Sequence, residues 1–329
     1  MSKKVEFYTV SVKQNNVVTD YAVSDFFENL NPFFEKSKKV NMDRKIGEKY
    51  IRLFSYYYSF NHHQMVLPFG KFKDKNKPYW LKNNEHLEEV PADLYDINSL
   101  AYDIDYNVML FTTNKEGPSV RNVEEYLNTF IPTNTGLSLE INPIVYNAGI
   151  EKVRTAEFVR EITLDLDLGR ALNNFYKHEI RENTERGLID AFRKFAVSAK
   201  DDGDGRALSL KLGLGKNAKK YDTLNINSML QLLEYINIGE DFVREITVHY
   251  KDGKDEKIDK ARLKDSNMLL SYSCKSRESQ ISPERLLENI NDAIAEKVII
   301  ITRHNDEYFA NRISYNGGTF EIVANWDSN

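Results

Sequence analysis

The sequence predicts an α+β protein of two domains: a β-rich N-terminal domain over residues 1–148, and a C-terminal domain over 149–329 whose antiparallel or mixed sheet carries helices on one face. Three observations predict it. At 329 residues the chain exceeds one ordinary domain. Ahead of Asn147 apolar residues recur mainly with period two, whereas from Thr155 strand and helix patterns alternate. The hexapeptide FVREIT occurs twice, at 158–163 and 242–247, with flanks that diverge at once, so what repeats is a strand and not a domain.

The elements follow in order. Residues 5–12 alternate as a strand, and SDFFENL reads as a short helix with Ser24 as N-cap, Phe26, Phe27 and Leu30 as its apolar side and Pro32 limiting its extension. Two aromatic-rich strands, 49–57 and 64–72, are joined by a turn at Asn61-His62-His63. The charged stretch KDKNKPYWLKNNEHLEEVP reads as a loop or short helix, and SLAYDID and NVMLFTTN as a hairpin across Asp105-Tyr106. Gly117-Pro118-Ser119 opens a helix carrying Val120, Val123, Leu127, Phe130 and Ile131, which Pro132 ends. Pro143 makes the strand over 137–146 an edge or bulged one. Asn147-Ala148-Gly149 is the expected hinge.

In the second half, the first FVREIT copy places Phe158, Ile162, Leu164 and Leu166 on one face and Glu157, Glu161, Thr163 and Asp165 on the other. The second turns Phe242, Ile246, Val248 and Tyr250 inward and Glu245, Thr247 and His249 outward. Arg160 and Arg244 interrupt the apolar faces and are expected at the sheet's rim with solvated guanidinium groups. Helices are expected over 169–180, 184–198 and 226–236, with the strand ALSLKLGL between them, so that both FVREIT strands share one sheet. A hairpin around Asp252-Gly253 and strands over 257–263 and 268–273 follow. Ser282-Pro283-Glu284 starts a final amphipathic helix with Leu286, Leu287, Ile290, Ala293 and Ile294, ahead of VIIIT and a polar tail.

Composition excludes several classes. A single cysteine, Cys274, rules out an intramolecular disulfide and a multi-cysteine zinc site, consistent with a reducing compartment. No run approaches the about 20 apolar residues of a membrane helix, and the start alternates like a strand rather than a signal peptide, so a cytoplasmic protein is expected. A net charge of −5 argues against a uniformly basic nucleic-acid binder, yet Lys and Arg gather in KSKK, DRK, KFKDKNK and GKNAKK. Serine-hydrolase elbows and HExxH helices are absent, and no residue pattern calls for a cofactor or a metal.

Asp103/Asp105 and Asp165/Asp167 are two DxD pairs that suit Mg²⁺-dependent phosphodiester cleavage, but the first pair falls at a hairpin turn and the second on a solvated strand face. His62-His63 point opposite ways on extended backbone. Cys274 has Lys275 and Arg277 nearby but no Cys or His partner legible in sequence. GLGKN lacks phosphate-loop spacing. The stretch KLGLGKNAKKYDTLNINS is the most suggestive: its glycines free the backbone, and Lys211, Lys216, Lys219 and Lys220 crowd one loop beside Tyr221. Helped by Arg193, Lys194 and Lys200, these residues form the expected nucleic-acid-binding face, which holds phosphates without reading bases.

In its succession of FYTVSVK, PFGKFKDKN, FTTNKEGPSVRNVEEYLNTF, LEINPIVYNAGIEKV, TAEFVREITLDL, LSLKLGLGKNAKK and SPERLLENINDAI, the chain resembles the RexA-like phage-exclusion family of lambdoid prophages. That resemblance implies a two-domain homodimer that binds DNA with little sequence preference and works with a small membrane-protein partner in abortive infection. It carries over no named residue. The leading expectation is a non-enzymatic prophage or mobile-element anti-phage defence protein that binds nucleic acid through a local basic face. The alternatives are a metal-dependent nuclease using the DxD carboxylates, and a phage-encoded inhibitor of host defence anchored by Tyr56, Tyr57, Tyr58 and Phe60.

Overall fold

The structure, a computed structural model, describes residues 2–35, 42–59, 61, 63–73, 79–82, 86–89, 93–168, 187–201, 205–215, 217–236, 242–253, 256–264, 266–275, 281–315 and 317. The fold is α+β. The chain forms two units, Met1–Ile144 with Leu269–Asn329, and Val145–Met268. The sequence reading has one crossing between domains; the chain has two.

In the first unit, β1 (Ser2–Gln14) and β2 (Val17–Val18) precede α1 (Val23–Glu35). Next come β3 (Asp43–Ile46), β4 (Lys49–Leu53), β5 (Tyr57–Tyr58), β6 (Gln64–Phe72), β7 (Tyr79–Lys82), β8 (His86–Glu89), β9 (Tyr95–Asp103) and β10 (Val108–Thr112). After these run α2 (Val120–Asn128) and β11 (Leu137–Pro143). The sheet order is β11-β1-β10-β9-β6-β4-β3. Long β1 serves several neighbours, with residues 5–9 on β10 and residues 8–14 on β11. β11 stands at the edge, where Pro143 has no ladder bond to spoil.

One face of this sheet carries Tyr8, Val10 and Val12 against Phe26, Phe27 and Leu30 of α1 and Val123, Tyr126 and Leu127 of α2. Ser119 caps α2 in a reciprocal capping box with Asn122, as its sequence predicts. Tyr126 is buried, and its hydroxyl donates to the Met42 carbonyl at 2.8 Å while accepting the Leu53 amide at 3.2 Å, tying α2 to β3 and β4.

Four expectations fail here, the first being Ser24 as N-cap, since α1 already includes it. Pro32 does not limit α1, which runs past it to Glu35; only the last turn follows, so little of the helix feels its missing N–H while Phe26, Phe27 and Leu30 hold the helix down. The charged stretch expected as a loop or short helix contains the antiparallel pair β7 and β8, with Trp80 opposite Glu88 and Leu81 opposite Leu87 in register. The aromatic strand expected over 49–57 is two strands, β4 and β5, both paired with β6.

The second unit contains β12 (Val145–Asn147), α3 (Ala148–Thr155), β13 (Phe158–Asp167), α4 (Leu188–Asp201), β14 (Ala207–Gly213), α5 (Ile226–Ile236), β15 (Val243–Lys251), β16 (Asp259–Arg262) and β17 (Asn267–Leu269), whose last residue belongs to the first unit. The predicted hinge is a helix start. Asn147 caps α3, accepting the Ile150 amide at 2.9 Å and donating to the Leu263 carbonyl at 2.7 Å. Gly149 lies so close to Arg262 that an added Cβ would stand 2.8 Å from its carbonyl oxygen. The helix expected over 169–180 lies outside the described residues.

The main sheet of this unit has order β14-β13-β15-β16. The two FVREIT strands are neighbours, antiparallel, with Thr163 opposite Thr247, the sixth residue of each copy. That register gives the sheet a local twofold character. Lys211 of β14 stands opposite Thr163, and Arg262 of β16 stands opposite Thr247. Ile162, Leu164, Leu166, Ile246 and Val248 pack beneath Phe192 and Ala196 of α4 and Leu232 and Leu233 of α5, leaving the other face without helices among the described residues of this unit.

The chain then returns to the first unit as β18 (Ser271–Lys275), which pairs with β1, and α6 (Pro283–Tyr308). Ser282 caps α6 with Pro283 at its start. Expected to stop before VIIIT, α6 runs through it, because Ile301 extends the buried row of Leu286, Ile290 and Ile294. α6 packs on the sheet face opposite α1 and α2, where polar contacts join its buried apolar row. Thr9 donates to Asn305 at 2.7 Å, the Ser11 and Tyr308 hydroxyls lie 2.9 Å apart, and Gln64 donates to Asn291 at 2.5 Å and to Asp103 at 2.8 Å. No described helix is long and apolar enough to cross a membrane.

Candidate nucleic-acid-binding groove

On the helix-free face of the second unit an open groove of about 840 Å³ is lined by Arg160, Glu161, Lys211, Leu214, His249 and Ile258, with Gly213 and Gly215 at its lip. Strand alternation puts the charged groups there. Once Ile162, Leu164, Val248 and Tyr250 turn toward the helices, Glu161 and His249 must turn away, and the register sets them side by side.

Glu161 is the hub. Lys211 Nζ lies 2.8 Å from one carboxylate oxygen and His249 Nδ1 lies 3.1 Å from the other. The Lys211 hydrogen bond, with His249 adding to it, holds the Glu161 carboxyl below its ordinary range. An ionised carboxylate only accepts, so the His249 Nδ1 carries the hydrogen. The twofold-related position repeats the motif in part: Arg262 Nε lies 3.3 Å from Glu245, while Asp165 stands where His249 would be.

Arg160 fixes the loop that follows β14. Its guanidinium donates to the carbonyls of Lys219 at 2.9 Å and Asp222 at 2.7 Å, and the Asp222 carboxylate accepts the Lys219 amide at 2.7 Å. Leu224 N donates to Val159 O at 2.8 Å, closing the loop onto β13. Gly215 supplies the turn with a φ of 74°, open to glycine at little strain. Lys219, Lys220 and Tyr221 project from this loop, Tyr221 with 60% of its surface exposed.

The predicted basic face is therefore not one face. Lys211 is in the groove but paired with Glu161. Lys219 and Lys220 are on the adjoining loop, and Lys216 lies outside the described residues. Arg193, Lys194 and Lys200 belong to α4, which packs on the opposite side of the sheet; Lys194 pairs with Asp190 at 2.8 Å, and Arg193 lies close enough to Tyr235 to act on its hydroxyl. A single sheet with helices on one side separates helix cations from strand cations.

Sequence reasoning missed Arg160, expected to be solvated, and left Glu161 and His249 as plain surface residues. The FVREIT repeat signals two like strands, but the register that sets Glu161 opposite His249 is not in the sequence. Arg244 is likewise engaged, 2.9 Å from Asp167.

Several of the other candidates are committed to the fold. Asp103 is buried, accepting from Gln64 and from the Tyr106 amide at 3.0 Å, and Asp105 pairs with His63 at 2.9 Å. Among the described residues no group of three His, Cys, Asp or Glu is placed to hold a metal ion. The Tyr56 hydroxyl donates to the Phe27 carbonyl and its ring stacks on Tyr58 at 6.0 Å, so neither is a free surface anchor. His62 and Phe60 lie outside the described residues. Cys274 is buried, and burial raises its thiol pKa, the reverse of activation.

A family model described as a family of unknown function, DUF6731, matches residues 2–311. The chain belongs to the DUF6731 family. No curated protein matches it. The match spans both units, so the groove and its loop lie within the part of the chain that defines this DUF6731 member.

Proposed function

We propose that this DUF6731 protein binds nucleic acid with little sequence preference, through the Arg160-braced loop at the lip of the groove. One observation carries the reading: Lys219 and Lys220 are both exposed on a loop whose backbone is pinned by two Arg160 hydrogen bonds, so both stand at the surface on a fixed support. Phosphate contacts need no more than that, and they supply affinity without reading bases. Lys211 contributes little while Glu161 holds it. The footprint is accordingly smaller than the sequence suggests, and the binding is weak and salt-sensitive. A role in anti-phage defence, with DNA as target, a homodimeric assembly and a small membrane-protein partner, rests on the resemblance to the RexA-like family.

Fluorescence anisotropy with labelled duplex and single-stranded oligonucleotides across a salt series tests this. Lys219→Ala with Lys220→Ala is expected to weaken binding to both forms and to flatten the log–log salt slope on duplex by about 0.9 per lysine. Absence of association at low salt, or an unchanged slope in the double variant, refutes it.

A further inference from the structure

The outer face of β3, β4, β6 and β9, in the first unit, carries an unexpected row of rings. Alternation along β4 buries Ile51 and Leu53 in the core and turns Tyr50, Arg52 and Phe54 outward. Register places Lys45 directly opposite Tyr50, and Phe72 directly opposite Tyr95. Gly70 lies under the cluster. A Cβ built there would stand 2.5 Å from the Phe54 ring and 2.9 Å from the Tyr95 Cβ, so glycine is what lets the rings close over the strand. Phe54 and Tyr95 meet edge to face at 5.0 Å, Phe72 and Tyr95 at 5.6 Å, and the Arg52 guanidinium sits 5.9 Å above Phe54.

At the other end of the same two strands this face is covered, since Gln64 and Asp103 are bonded beneath α6. At the aromatic end Tyr50 is 50% exposed and Phe54 37%. Charge there favours an anion. Among the described residues at this end, Asp43 is held by Arg52 at 2.9 Å and by the Tyr95 hydroxyl at 3.3 Å. Lys45 is exposed beside Tyr50.

We infer that this aromatic face is a stacking platform for unpaired bases, with Lys45 against the phosphates of a single-stranded nucleic acid. Exposed rings beside a lysine suit a single strand, because base–aromatic stacking tolerates any sequence. A proline-rich peptide fits less well. It needs parallel rings with a slot between them, and Phe54 and Phe72 stand steeply against Tyr95 with no slot. The platform lies in a different unit from the lysine loop and does not depend on it.

The test is anisotropy with oligo(dT), its abasic counterpart, a duplex and a proline-rich peptide, using wild type, Tyr50→Ala, Phe54→Ala and the Lys219/Lys220 double alanine variant. Tyr50→Ala is expected to lower oligo(dT) affinity about tenfold with duplex binding unchanged, Phe54→Ala to follow it, and the abasic strand to bind wild type correspondingly less. Tyr50 is exposed enough that its truncation leaves the fold intact, which a thermal melt checks. The inference is overturned if both aromatic variants bind oligo(dT) like wild type, if abasic and dT strands bind alike, or if only the peptide binds. Loss confined to the lysine variant would overturn this platform and leave the lysine loop standing.

Discussion

Glu161 sets what the groove attracts. Its carboxylate neutralises Lys211 and engages His249 across the strand pair, so one of the lysines expected on the binding face is spoken for. Glu161→Gln keeps the shape and removes the charge. It is expected to tighten nucleic-acid binding and steepen the duplex salt slope by about 0.9, the contribution of one released lysine, in the same anisotropy titration; weaker binding would mean that Lys211 is needed where Glu161 holds it. Tyr126 is the structural counterpart. Removing its hydroxyl in Tyr126→Phe strands the buried Leu53 amide and Met42 carbonyl, and denaturant melts should show a loss of about 1–3 kcal/mol. At this scale, alternation made it legible that Glu161 and His249 face outward. That they touch was not legible, because contact depends on which residue stands opposite which, and register is a property of the folded pair.

Elements were read best where one local rule governed them. The helices expected to open at Ser119 and at Ser282 do so, each capped by that serine, and the edge position of β11 follows from Pro143. Tertiary packing overrode the local rule at Pro32, inside α1, and at the β-branched run inside α6. α6 also carries a pH dependence. Burial depresses the His304 pKa, with Glu307 acting weakly the other way, and the ring stacks on Tyr308 at 6.1 Å. A folded-state pKa below the unfolded one means that the folded form binds protons less readily. Its stability contribution is complete above the ordinary histidine value of about 6.5 and is lost as pH falls through that value toward the depressed one. Thermal melts from about pH 7.5 to about pH 5 should show an acid-side loss that shrinks in His304→Phe, which keeps the stacked ring without the titration. An unchanged pH profile in that variant would assign the loss to other groups.

For the whole molecule, the decisive feature is how the chain passes between its units. The chain leaves the first unit after Ile144, and nothing in composition signals that Leu269 returns to the unit where the chain began. The return is visible in backbone bonds. The Ile144 amide donates to Phe7 at 3.0 Å, the Phe7 amide donates to Leu270 at 3.0 Å, and the Leu270 amide donates to Ile144 at 2.8 Å. The points where the chain leaves and re-enters the first unit are therefore hydrogen-bonded neighbours, and residues 145–268 are an insertion between them. Each unit has its own buried cluster, one around Phe26, Phe27 and Tyr126 and the other around Ile162, Leu164 and Ile246. Two constructions follow. Joining residues 1–144 to 269–329 through a short glycine-serine linker is expected to give a cooperatively melting protein, because the linker has only to bridge neighbouring backbone; residues 1–144 alone, lacking β18 and α6, should not melt cooperatively. Residues 145–268 alone should fold around their own sheet and keep the Lys219/Lys220-dependent, salt-sensitive binding, while the joined first unit keeps the Tyr50-dependent preference for single strands. If neither piece melts cooperatively while the full chain does, the two clusters are one folding unit and each binding surface must be tested only in the intact chain.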